Sequence, residues 1–194
     1  MSAPAASTAG QPVSLTVTLL DAIGNVATGY VGVVHFSSSD LSAGLPLNYT
    51  FTSADAGTHT FSVTLKKAGT QSITATDTLT GSLTGTSGGI VVSPAAAAKF
   101  VLTAPQGVKR GVAFSLTLTV QDAYGNTVTG YVGTVKFTSS DGTAILPASY
   151  TFTKTDQGVH TFTGLVLRKT GGQTITITDK LNSSLKGSLT EDVS

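Results

Sequence analysis

Asp21-Ala22-Ile23-Gly24-Asn25 returns 101 residues later as Asp122-Ala123-Tyr124-Gly125-Asn126. Its surroundings return too: Gly29-Tyr30-Val31-Gly32 as Gly130-Tyr131-Val132-Gly133, and Tyr49-Thr50-Phe51-Thr52 as Tyr150-Thr151-Phe152-Thr153. Residues 12–61 laid on 113–162 agree at 30 of 50 positions. After His59-Thr60-Phe61 and His160-Thr161-Phe162 the offset becomes 102, so one residue is inserted near Gly164. Residues 65–85 then match 167–187 at 12 of 21 positions. Self-similarity at a fixed spacing is one structural unit used again. The chain reads as two copies, 1–93 and 94–194.

Each copy reads as short strands separated by turn signals. In the second, Val112, Phe114, Leu116, Leu118 and Val120 alternate with small or polar residues, the period of a half-buried strand. The Asp122–Asn126 turn follows, then Tyr131, Gly133, Val135 and Phe137 on one face. Tyr150 with Phe152, His160 to Leu167, Gln173 to Thr178 and a segment from about Ser184 supply further strands. Lys99 to Thr103 stands in front, making seven strands in about 95 residues. That number and spacing, with no helical period, predict an all-β chain of two tandem Ig-like antiparallel sandwiches.

Composition agrees and excludes other classes. The 194 residues include 34 Thr, 21 Ser, 22 Gly and 19 Val, against 11 basic and 10 acidic side chains. β-Branched residues fit a pleated, half-buried surface. So few charges argue against a coiled coil, and a net charge of +1 argues against a partner held through phosphates, so no nucleic acid is expected. The 40% hydrophobic content can build a core, which sets the chain apart from disordered sequences. No run approaches the roughly 18 apolar residues of a helical membrane span. Met1 leads into Ser2-Ala3-Pro4 without the basic and apolar regions of a secretory signal, and reads as a start added to a segment of something longer. The absence of cysteine leaves the redox compartment open.

The run Leu118-Thr-Val-Gln-Asp122-Ala-Tyr-Gly-Asn-Thr-Val-Thr-Gly-Tyr131, followed by Val135-Lys136-Phe137, resembles bacterial Ig-like repeats of the invasin/intimin kind. In that family the Asp-x-x-Gly-Asn turn joins two core strands, and the likeness covers both copies almost entirely. The resemblance implies tandem modules of large extracellular or cell-surface proteins, serving as stalk or spacer for a terminal binding domain. No adhesive tip is legible here, so no residue inherits a binding role.

The copies differ at their ends. Lys99–Thr103 should be the first strand of the second copy, whereas its counterpart at the same offset would lie before Ser2. The first copy therefore reads as lacking a first strand, through a boundary drawn inside an array or through strand exchange with a neighbouring chain. Ser93, Pro94 and the Ala95–Ala98 run form a short linker. Proline fixes φ and alanine has no flexible side chain, so a semi-rigid joint is expected.

Several residues are candidates for chemistry. Eight of the ten acidic residues fall in register: Asp21/Asp122, Asp40/Asp141, Asp55/Asp156 and Asp77/Asp179. Calcium takes clustered oxygens, but no Asp-x-Asp-x-Asp run occurs, and Asp where a strand ends accepts bonds from backbone N–H groups two residues on. Turn closure is the preferred reading, with no metal. His59 and His160 precede Phe61 and Phe162 by two positions but belong to different copies, and with only His35 besides they cannot assemble a zinc site. Gly85-Thr86-Ser87-Gly88-Gly89 has the G-x-S-x-G spacing of a hydrolase, yet strand residues Ile90-Val91-Val92 follow where that motif needs a helix. Lys66-Lys67 and Arg168-Lys169 read as solvated turns. Lys99 is the one candidate nucleophile for an internal Lys–Asn or Lys–Asp amide, but the acidic catalyst such a bond needs is not expected, since Glu191 is the sole glutamate and is not expected to be buried. Asn48 and Asn182 head glycosylation sequons that matter only in a eukaryotic secretory route.

No convergent nucleophile, base or cofactor set emerges, so the expectation is a non-enzyme without cofactors. Its expected partners are neighbouring Ig-like repeats, of the same or an adjacent chain. The alternatives are a surface glycan or protein ligand, for which Tyr124 in the turn is the one aromatic off the core face, or a strand-exchanging filament subunit.

Overall fold

The computed structural model describes all 194 residues and divides into two compact units, Met1–Pro94 and Ala95–Ser194. Both are β-sandwiches of the Ig-like kind, as the alternation required, antiparallel throughout except for one strand pair in the first unit.

The second unit has seven strands: β10 (Lys99–Thr103), β11 (Ala113–Gln121), β12 (Thr134–Ser139), β13 (Tyr150–Thr151), β14 (Val159–Val166), β15 (Gly171–Asp179) and β16 (Lys186–Val193). One sheet has the order β10-β11-β14 and the other β13-β12-β15-β16. Period-two patterning decides what lies between them. Leu116, Leu118 and Val120 of β11 are fully buried against Val135, Ile175 and Ile177 of the opposite sheet, while the intervening Thr side chains bond across strands, as Thr117 does with Thr161 at 2.9 Å. The residue inserted near Gly164 is a β-bulge: the β11/β14 register shifts between Phe114 and Leu116, and Gly164 has φ +76°. A left-handed residue at a bulge suits glycine.

The first unit divides its chain more finely: β1 (Ala6–Thr8), β2 (Pro12–Thr18), β3 (Val33–Ser38), β4 (Tyr49–Thr50), β5 (Thr58–Thr64), β6 (Gly69–Gln71), β7 (Ile73–Asp77), β8 (Thr84–Thr86) and β9 (Ile90–Ser93). The stretch continuous as β15 is broken at Ser72, and that continuous as β16 at Ser87–Gly89. The sheets have the orders β1-β9-β6, β2-β5 and β4-β3-β7-β8. Two features lie ahead of β2. Strand β1 pairs parallel with β9, Ala6 opposite Val91, and Ser2 bridges Thr16 antiparallel. By the 101-residue offset Ser2 holds the place Thr103 holds on Thr117. The positions of Lys99–Leu102 along β11 have no strand beside them on β2, whose one strand partner is β5 and whose other edge carries only the Ser2–Thr16 bridge.

Candidate functional site

The paired carboxylates meet the same kinds of donor in both copies. Asp122 is fully buried; its Oδ1 accepts from the N–H groups of Tyr124 and Asn126 at 2.9 and 2.8 Å, and its Oδ2 from Ala95 N–H at 2.9 Å and Asn126 Nδ2 at 2.8 Å. Asp21 closes its turn through Ile23 and Asn25 but is exposed. Asp141 accepts from Thr143, Arg168 and Lys169 backbone N–H groups, and Asp40 from Ser42, Lys66 and Lys67. The basic pairs singled out in the sequence thus serve their carboxylates through the main chain.

Asp55 and Asp156 each close a single 3₁₀ turn, residues 53–55 and 154–156, in a capping box with Thr52 and Thr153. They also fasten the histidines: His59 Nδ1 stands 2.7 Å from Asp55 Oδ1 and His160 Nδ1 2.8 Å from Asp156 Oδ1, with Tyr49 and Tyr150 donating to the same oxygens at 2.9 Å. The Tyr150 and His160 rings stack at 3.9 Å between centroids. These are half-buried histidines held to a turn.

Asp77 and Asp179 accept the Tyr30 and Tyr131 hydroxyls, a partnership the sequence did not suggest because the partners lie 47 and 48 positions apart. Leu79 and Thr80 N–H groups, and those of Leu181 and Asn182, bond the other oxygen. Hydrogen bonds to the charged form hold all eight carboxyls below their ordinary value against the opposing effect of burial. Burial and the facing Asp raise the two tyrosines. No group of three His, Asp or Glu side chains converges as a metal site would require.

Ser87 of the G-x-S-x-G spacing is buried where β8 breaks from β9, and its Oγ accepts the Ile73 N–H at 3.0 Å. Neither a strand-to-helix elbow nor a histidine attends it. Lys99, the candidate crosslink nucleophile, is exposed at the start of β10. Glu191, expected not to be available as a buried catalyst, is in fact buried on β16 opposite Gln173, because its strand position faces the core. Tyr124 is 46% exposed on its turn.

What remains is a concavity in the first unit. A cavity of about 280 Å³ opens between β2 and the β7–β8 edge, lined by Met1, Val17, Leu19, Val34, Ala75 and Leu83. Its walls are mainly apolar, with Thr18, Asp77 and Thr84 also among the lining residues.

No family model and no curated protein sequence matches the chain. Solved structures do. The Escherichia coli adhesin FdeC is similar at 20% identity and a TM-score of 0.49, over 100% of this chain and 63% of that one. The Yersinia pseudotuberculosis adhesin InvE is similar at 18% identity and 0.43, over 99% of this chain and 57% of that one. A glycosyl hydrolase family 2 member from Bacteroides cellulosilyticus is similar at 15% identity and 0.45, over 96% of this chain and 23% of that one. The chain spans about three fifths of the two adhesin structures.

Proposed function

We propose that the chain is a non-catalytic structural module, a pair of Ig-like repeats in the stalk or filament of a bacterial extracellular or cell-surface protein. One observation carries this reading: what the copies share in polar chemistry is spent on the fold. Each of the four carboxylate pairs, Asp21/Asp122, Asp40/Asp141, Asp55/Asp156 and Asp77/Asp179, accepts from main-chain N–H groups at equivalent positions of its own unit. Carboxylates engaged in this way close turns and resist unfolding, and their lone pairs are taken up by the fold rather than turned toward a substrate or a metal. Retained in both copies, such bonds favour a part used for its shape. The likeness of Leu118–Phe137 to invasin/intimin-type repeats supports the surface location in this reading.

The test is molar mass by light scattering behind a sizing column, across a wide concentration range, together with a hydrolase panel. A spacer keeps a mass near 19.5 kDa throughout and turns over nothing. Turnover lost on Ser87→Ala would overturn the reading. A second reading, a glycan- or protein-binding module, draws on Tyr124, the exposed aromatic of the second unit's turn, which Ile23 replaces in the first. Retention on a polysaccharide that disappears with Tyr124→Ala would favour it.

A further inference from the structure

The second unit fills a place that the first leaves open. Strand β10 runs antiparallel to β11 with Phe100 opposite Val120 and Leu102 opposite Leu118, both side chains buried. The Phe100 ring meets Tyr131 edge-on at 5.8 Å. Its main chain passes so close to Gly187 that a Cβ there would stand 2.3 Å from the Phe100 carbonyl oxygen. Only a residue without a side chain leaves room for that strand.

The first unit retains the seat. Val17 and Leu19 stand for Leu118 and Val120, Leu83 for Leu185 and Gly85 for Gly187. They line the 280 Å³ cavity, Leu83 is half-buried where Leu185 is buried, and Tyr30 has only Phe51 as ring neighbour. Within 4 Å of where a Gly85 Cβ would stand there is no main chain of another segment: the nearest atoms are the Met1 Sδ and Cγ, at 3.4 and 3.5 Å. Ala75 takes the place of Ile177, which deepens the seat. The Ser2–Thr16 bridge already lies in the register of Thr103–Thr117, so a chain continued backward from Ser2 would lie along β2.

A second copy of this chain is a poor occupant. Each chain has two such seats and one β10, and a β10 withdrawn to fill a neighbour's first unit would vacate its own second unit. A strand arriving in line costs no association entropy and empties nothing. We propose that this cavity seats an extended segment with the Lys99–Thr103 pattern, apolar at alternate positions, delivered by a preceding repeat of the same kind and continuous with Ser2. The proposal rests on the tandem-module reading and names the partner of its open edge.

The chain contains no tryptophan, so one placed in the segment reports alone. In the full chain, Ala-Ala-Lys-Trp-Val-Leu placed ahead of Ser2 in the stead of Met1 puts Trp at the position of Phe100. The expected result is blue-shifted emission and acrylamide quenching several-fold weaker than for a free peptide of the same sequence. Gly85→Ala should restore strong quenching, since its Cβ meets the seated main chain, yet leave the melting of the chain without the segment unchanged. A Trp that stays solvent-exposed, or that ignores Gly85→Ala, would overturn the proposal. Equal protection of the free peptide at low concentration would assign the seat to a separate chain, and a doubled mass would assign it to a second copy; either overturns the in-line source. An exposed Trp on a chain whose mass stays that of the monomer leaves the module reading standing, whereas catalytic turnover would remove that reading whatever the Trp reports.

Discussion

The Tyr131 hydroxyl donates to Oδ2 of Asp179, and both atoms lie against Gly133, where a Cβ would stand 2.3 Å from the hydroxyl and 2.4 Å from the carboxylate. The bond ties the loop after the Asp122–Asn126 turn to the end of β15, and Tyr30, Asp77 and Gly32 repeat it in the first unit. Gly133→Ala must push the tyrosine off its partner and leave a part-buried carboxylate short of a donor, which costs about 1–3 kcal/mol. Tyr131→Phe removes the donor without the clash and should cost less. Melting by calorimetry, with hydrogen exchange to separate the two units, orders the variants.

Burial distinguishes two copies of one motif. Asp122 is fully buried with four donors, whereas Asp21 is exposed. Asp122→Ala leaves the N–H groups of Tyr124, Asn126 and Ala95 without their acceptor, a loss of about 2–3 kcal/mol. Asp21→Ala should cost distinctly less, because water replaces the carboxylate. Denaturant titration of the two variants checks the order; equal losses would refute it.

Stability should form a plateau bounded by the carboxylates and the tyrosines. The eight aspartates titrate below their ordinary value of 3.8 when folded. Their contribution is therefore complete above that pH and is lost as pH falls below it, where the unfolded chain takes up protons first. Tyr30 and Tyr131 are raised above 10.0, so the neutral form is favoured by folding and stability declines as pH climbs past 10, where the unfolded chain ionises first. Melting temperature measured from pH 2 to pH 11 should be flat between these limits, save for the opposite slope that Glu191 adds above pH 4.5. Tyr131→Phe should soften the alkaline decline.

Glu191 is the exception among the acids. Burial raises its pKa above 4.5, so ionisation at neutral pH opposes folding, and that opposition fades as pH falls and the carboxyl protonates. Glu191→Gln should raise the melting temperature at pH 7 and lose its advantage toward pH 4. A variant less stable than the parent at pH 7 would show that the charge has a favourable role.

Equivalent glycines should respond differently. Gly187→Ala drives a Cβ into the main chain of β10 and should cost the second unit about 1–3 kcal/mol as an overpacked core does. Gly85→Ala meets only the flexible end of Met1 and should be close to neutral. Hydrogen exchange across β11 and β2 would report each unit separately.

The repeat, the period-two strands and the turn aspartates are all legible in the amino-acid sequence, because each depends on residues near one another in the chain. Alternation at Phe114–Val120 needs only the pleat, and Asp122 reaches Tyr124 and Asn126 within its own turn. Strand β10 coincides with Lys99–Thr103 for the same reason. Strand β1 is not legible there: Ala6-Ser7-Thr8 has no apolar alternation and is a strand only because β9, some 85 residues away, offers it a parallel edge. The donors to Asp40, carried by the Lys66 and Lys67 main chain, are likewise hidden behind their charged side chains. Sequence by itself determined two Ig-like units with their turns and core faces, since local periodicity and a repeated pattern suffice for that. Only the tertiary structure decided that Tyr131 closes on Asp179, that Gly187 is empty so that β10 can pass, and that the matching space beside Gly85 is open, because each depends on chains brought together by packing across the sandwich.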